Sequence, residues 1–192
     1  LMAPVPAPQP LLEALQSVQA TAGRSGTGFQ LTFTLGKLSP LQIMLAVGAL
    51  DPMITRVVVI ATMGGIPNVI ADGVVTQHAV VPSNEPGQST LTLTGDDLSV
   101  LMDVVQIQIP WPAMPDFARV NAILAKYAMF GITPTVLPSP VVTVRIPTEG
   151  YDLQTDTDLT YIKDLARLSG YTFYIDPGPP PLQRIAHFAP DV

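Results

Sequence analysis

The sequence predicts a β-rich α+β fold. Three observations lead there. Two segments alternate apolar and Thr/Gln residues at period two: Phe29-Gln30-Leu31-Thr32-Phe33-Thr34-Leu35, and Leu91 and Leu93 set against Thr90, Thr92 and Thr94. Two later segments place apolar residues at helical spacing, Phe117-Val120-Ile123-Leu124-Tyr127 and Leu159-Ile162-Leu165-Ala166. Of the 192 residues, 47% are hydrophobic and 12% charged, the latter about half of the roughly 25% usual in soluble domains.

In chain order, residues 1–10 (LMAPVPAPQP) form a Pro-rich extended lead-in. Residues 11–20 form a short helix or run into a first strand. Arg24 to Gly28 is a turn. The alternating strand from Phe29 follows, and Ser39-Pro40 then marks a helix start, an N-cap residue with Pro at the first helical position. That helix runs to about Val47, before Gly48. Thr55 to Met63 is a β-branched strand, Gly64-Gly65 a tight turn, and Ile66 to Val81 the returning strand. Asp72-Gly73 is expected to bend or bulge that long segment. Ser89 to Gly95 forms the next strand, and Asp96-Asp97 is expected to cap a short helix from Leu98 to Val105.

Pro110 to Pro115, with three prolines in six residues, is the expected domain boundary. The organisation read from this is a lead-in with a first helix or strand (1–27), a β domain (28–110) and an α+β part (111–192). In that last part a helix through Phe117–Tyr127 stops before Gly131. Thr133 to Ile146, interrupted by prolines, ends in a strand, VVTVRI. A second helix spans about Leu159 to Ser169 and stops at Gly170. Tyr171 to Ile175 is a strand ended by the DPGPPP run, and Gln183 to Phe188 is one more. Two helices and two or three strands make a thin core for a free domain, and the opening residue is Leu, so further chain is expected at both ends.

Composition excludes several classes. Without Cys there is no disulfide framework and no thiolate site. High apolar content and a net charge of −6 argue against disorder of the whole chain. Nine Lys+Arg against 15 Asp+Glu, with no basic run, disfavour non-specific nucleic-acid binding. No stretch of 18 apolar residues suggests a membrane span, and no signal peptide is evident.

The densest polar cluster is Asp152, Thr155, Asp156, Thr157 and Asp158. A metal site would need several of these oxygens to converge, and the spacing lacks the glycine and distal Glu of an EF-hand loop. Thr155–Asp158 stands just before an amphipathic helix, so capping is the preferred reading; Asp96-Asp97 is read the same way. His78 on a strand and His187 have no ligand-spaced partner, which argues against zinc. Gly23, Gly26 and Gly28 precede a strand and do not bridge strand to helix, so they are not a phosphate cradle. Trp111 is a binding anchor or, the preferred reading, a hydrophobic plug at the domain junction. No catalytic, cofactor-binding or metal-ligating residue is assigned, and no enzyme is predicted.

Three segments carry a resemblance: residues 72–103 (DGVVTQHAVVPSNEPGQSTLTLTGDDLSVLMD), 116–136 (DFARVNAILAKYAMFGITPTV) and 154–176 (QTDTDLTYIKDLARLSGYTFYID). Their order resembles the baseplate hub proteins of contractile phage tails and injection systems, the late-control-D-like family, which includes the hub part of type VI secretion spike proteins. The resemblance implies a tail-tube-like β-barrel followed by a partial α/β domain. It implies a homotrimer with a central channel, joining a tail-tube protein above to a spike protein below among other baseplate proteins. It also implies assembly in the bacterial cytoplasm into a virion or secreted contractile particle. The family's second barrel has no counterpart in this sequence.

The expected function is therefore structural: a hub subunit that matches symmetries between tube and spike, without cofactor. The expected interface strands are Phe29–Leu35, Val74–Val81 and Leu91–Thr94. The alternatives are a carbohydrate- or peptide-binding β module and, third, a metal-dependent enzyme built on Asp152, Asp156 and Asp158. The charge deficit suits a subunit covered by neighbours.

Overall fold

The structure, a computed structural model, describes residues 5–23, 26–36, 39–85, 87–140, 150–178 and 182–190. The chain divides into two compact units, Leu1–Leu98 and Ser99–Val192.

In the first unit a short helix α1 (Gln9–Glu13) leads into β1 (Leu15–Gly23), so both readings of residues 11–20 are realised in succession. Then follow β2 (Gly26–Leu35), α2 (Pro40–Ala46), β3 (Arg56–Met63), β4 (Ile66–Val81) and β5 (Ser89–Asp97). The five strands form one curled antiparallel sheet in the order β1-β2-β5-β4-β3. The alternation read from the sequence decides its faces. Phe29, Leu31, Phe33 and Leu35 of β2 and Leu91 and Leu93 of β5 are buried with Leu41, Leu50, Ala71 and Val75. Each of the Phe, Leu and Val side chains contributes roughly 1.5–3 kcal/mol by leaving water. At α2 the Ser39 hydroxyl accepts from the Leu41 N–H, as the Ser-Pro signature predicts. Gly64 and Gly65 both hold positive φ (58° and 84°), the backbone a two-residue hairpin turn with native strand twist requires.

The sheet is staggered. One row of cross-strand partners runs Thr21–Gly28–Asp96–Val74–Arg56 through all five strands. Below it lie most of β1 and the second half of β4; beyond it β3 and the first half of β4 continue as a two-stranded ribbon. The expected irregularity at Asp72-Gly73 is displaced. Extra residues stand in β4 at Ile70 and at Thr76, and Asp72-Gly73 lies in regular register between them. Both residues have other duties there. A Cβ on Gly73 would run into the Asp96 carbonyl. Buried Asp72 takes a bidentate pair from Arg56, Nε to Oδ1 at 2.8 Å and Nη2 to Oδ2 at 3.0 Å.

Asp96-Asp97 is also corrected. Both are strand residues of β5, and only a 3₁₀ turn, Leu98–Asp103, follows. Buried Asp97 accepts the Thr27 N–H at 2.8 Å, and Asp96 accepts the Thr76 hydroxyl at 3.3 Å. Ladder pairing with β2 and β4 continues through these carboxylates, so they tie neighbouring strands and do not cap a helix.

The second unit holds β6 (Ile109–Trp111), α3 (Asp116–Ala125), β7 (Ile132–Val136), β8 (Asp152–Gln154), α4 (Asp158–Ser169), β9 (Tyr171–Pro177) and β10 (Arg184–Pro190). A mixed sheet runs β7-β10-β9, with β10 parallel to β7 and antiparallel to β9; β6 and β8 form a separate antiparallel pair. Pro110 and Trp111 thus lie in a strand of this unit. Pro134 is accommodated because β7 is an edge strand. The VVTVRI strand falls at residues 141–146, outside the described residues. Both helices show the predicted stripes: Val120, Ile123 and Leu124 of α3, and Leu159, Ile162, Leu165 and Ala166 of α4, are buried. Gly170 ends α4 with φ 67°, the left-handed cap that glycine adopts without Cβ strain. Phe173, Ile175, Ala186 and Phe188 supply the sheet's side of this core.

Candidate functional site

The acidic cluster does not converge. Asp152, on β8, accepts from Arg119 Nη2. Asp158, at the start of α4, is buried and accepts from the Tyr127 hydroxyl at 2.7 Å and Gln154 Nε2 at 2.8 Å, with Lys126 Nζ alongside. Asp156 is exposed; its backbone carbonyl accepts from Gln154 Nε2 and from the Ile107 N–H. The Asp152 and Asp158 carboxylates therefore address different partners, and that of Asp156 accepts from the adjacent Thr155 hydroxyl at 3.5 Å. Among the described residues no group of three His, Cys, Asp or Glu is placed to hold a metal ion. Capping falls to Thr157, whose hydroxyl accepts the Thr160 N–H at 3.3 Å and donates to Asp103.

These residues belong to a polar latch that the sequence only half revealed. Arg119, on the apolar face of α3, donates Nε to the Met114 carbonyl, Nη1 to the Tyr161 hydroxyl at 3.1 Å and Nη2 to Asp152. Its spacing with Val120 and Ile123 puts it on the buried side of the helix. Burial alone would weaken its proton affinity; Tyr161 and Asp152 outweigh that and raise it. Burial pushes the Asp116 carboxyl up, against the lowering pull of Arg119. Burial and the neighbouring Asp158 push the Tyr127 phenol well above its usual value. Trp111 stacks on Tyr161 (ring centroids 6.5 Å apart, planes within 10°) and donates its indole N–H to Gln154. It is thus a packed member of the second unit, with both ring and N–H engaged.

The histidines are placed as packing residues. His78 Nδ1 lies 3.4 Å from the Leu50 carbonyl. His187 stacks on Tyr174, with Nε2 3.7 Å from the Asp176 carboxylate. Gly23 and Gly26 face each other across the β1–β2 hairpin, and Gly28 sits in β2.

The three segments expected at an interface occupy different places in the sheet. β2 and β5, which hold Phe29–Leu35 and Leu91–Thr94, each have strand partners on both sides and offer no edge. Of the third segment, Val74–Val81, only Val74 pairs with β3. The edge strands are β1 and β3. From Leu15 to Gly23 and from Val57 to Ala71 no residue is charged, although edge strands are commonly guarded by Lys or other charges. Ile60 (46% exposed), Met63 (68%) and Ile66 (65%) stand out on the ribbon. Leu15–Gly23 was legible as a β1 candidate from its lack of charge and its Thr and Val content, but no period-two signal marks it as an edge.

Over most of its length the chain shares its fold with a type VI secretion component and a phage tail protein. The E. coli c3393 protein, a component of the type VI secretion system with structural similarity to T4 bacteriophage tail proteins gp27 and gp5, matches 91% of this chain with TM-score 0.59 at 12% identity. The 43 kDa tail protein of prophage MuSo2 from Shewanella oneidensis matches 87% with TM-score 0.53 at 16% identity. The matches cover 43% and 49% of those proteins, so this chain spans less than half their length. No family model and no curated protein matches the chain by sequence.

Proposed function

We propose that the chain is a structural subunit of a contractile-tail baseplate hub, joining tail tube to spike without catalysis. The observation that carries this reading is the shared fold over nine-tenths of the chain with a type VI secretion component. In this reading residues 28–110 are the tube-like part and residues 111–192 begin the domain between two barrels. Three copies surround a channel, and symmetry matching between sixfold tube and threefold spike transmits load. The partners are a tube protein, a spike protein and neighbouring baseplate subunits, in a virion or secreted particle. The non-catalytic role is supported by the divergence of Asp152, Asp156 and Asp158 toward separate structural partners. Among the described residues no helix is long and apolar enough to cross a membrane. The test is the mass of the full chain in solution, alone and with a tube protein. A trimer or closed ring supports the hub, and a monomer that ignores tube protein contradicts it.

A further inference from the structure

We propose that the Arg119 latch is operated by a proton on Asp116: it is closed while Asp116 is neutral and loosens when Asp116 ionises. The inference concerns the second unit alone and does not depend on the hub reading.

The charge count at the latch carries it. The described bonds of the three guanidinium nitrogens of Arg119 go to the Met114 carbonyl, the Tyr161 hydroxyl and Asp152. Asp116, in the first turn of α3, stands outside that set, with Oδ1 3.9 Å from Nη1, beyond hydrogen-bond reach. Two carboxylates therefore face one guanidinium, and Asp116 is the one in surplus. Its side chain is only 14% exposed, so solvent screens the surplus charge poorly.

The groups that face Asp116 come from each element around it. On α3 it meets Arg119, on β8 Asp152, and on α4 the Tyr161 phenol and the Ser169 hydroxyl. Burial raises the Tyr161 phenol above its usual value, against the pull of Arg119, so it carries no charge near neutral pH. Burial, helped by Asp152, favours the protonated form of Asp116 and outweighs Arg119 and Ser169.

Arg119 gives the latch two arrangements. With Asp116 neutral, Nη1 stays on Tyr161 at 3.1 Å, and the guanidinium joins α3 to α4 and β8. Ionised Asp116 competes for the same Nη1, and a turn of the Arg119 side chain toward it withdraws the donor from Tyr161. Tyr161 stacks on Trp111 of β6, so the change reaches the indole. A carboxyl raised in the folded state adds stability that is complete below the usual aspartate value. That stability is lost as the pH rises through the raised value. The latch is therefore tightest in mild acid.

Trp111 is the single tryptophan, so its fluorescence reads the latch in the full chain. Titrated from neutral pH into acid, the wild-type emission should change with a midpoint above about 3.9, the ordinary aspartate value. Asp116→Asn should lose that transition. It should also melt higher than wild type at neutral pH, although the start of α3 gives the anion some support, and the two melting temperatures should converge in acid. Asp152→Asn leaves Asp116 as the carboxylate that balances Arg119, so its transition should move to lower pH. A transition that persists in Asp116→Asn overturns the inference. So does a wild-type emission that stays flat above that value while circular dichroism shows folded protein, and so does a lower melting temperature for Asp116→Asn at neutral pH.

Discussion

Arg119 shows how one side chain can organise a small unit. Four of its neighbours, Met114, Asp116, Tyr161 and Asp152, come from α3, α4, β8 and the segment before α3. Removing one partner of a buried ion pair leaves the other charge stranded, so Arg119→Met should destabilise the chain by roughly 3–5 kcal/mol in urea unfolding. Tyr127 supplies a pH signature. A tyrosine in the unfolded chain ionises near 10.0, while the folded one keeps its proton to higher pH because of burial and Asp158. Its contribution is whole below pH 10 and is lost as the pH rises toward the raised native value. Tyr127→Phe should flatten the alkaline limb of a stability-against-pH curve, and an unchanged limb would show that another group governs it. At neutral pH the same variant should cost about 1.5–3 kcal/mol, the range for a hydrogen bond to a charged group. Asp152 and Asp158 could be flagged in the sequence as polar, but not assigned partners, because those partners lie 31 to 33 residues away in Tyr127 and Arg119.

At the scale of elements, sequence and structure agree where one face is buried and part where a residue serves two neighbours. β2, β5, α3 and α4 were legible because period-two or helical stripes coincide with their buried residues. The Ser39 and Thr157 starts were legible because hydroxyl caps act on the local backbone. Asp96 and Asp97 misled because an acidic pair after a glycine is a helix-start signal, and only the tertiary partners Thr27 and Thr76 make it strand. The bulges at Ile70 and Thr76 had no local signal at all: they flank Gly73 and Val74, the two residues of β4 that pair with both β3 and β5, Ile70 on the β3 side and Thr76 on the β5 side. Two substitutions separate the capping and catalytic readings of the helix start. Thr157→Ala should cost about 0.5–2 kcal/mol in thermal or urea melts, as a lost cap does. Asp156→Ala, at an exposed position, should stay within about 0.5 kcal/mol. A large loss from Asp156→Ala with Thr157→Ala silent would reverse that assignment.

For the whole molecule, the scarcity of charge takes on spatial meaning. The uncharged runs coincide with the two sheet edges and with the protruding ribbon, the places where a free monomer would be expected to carry charges against edge-to-edge association. The sheet itself is open, and closure into a barrel falls to neighbouring copies in the hub reading. That property was not readable from the strand patterns, which gave faces but not the order β1-β2-β5-β4-β3. In the hub reading the chain is surrounded by partners. Sedimentation of the full chain over a range of concentrations tests it most directly. A trimer or larger closed assembly that persists on dilution is the expected result; a stable monomer at every concentration would contradict the hub reading.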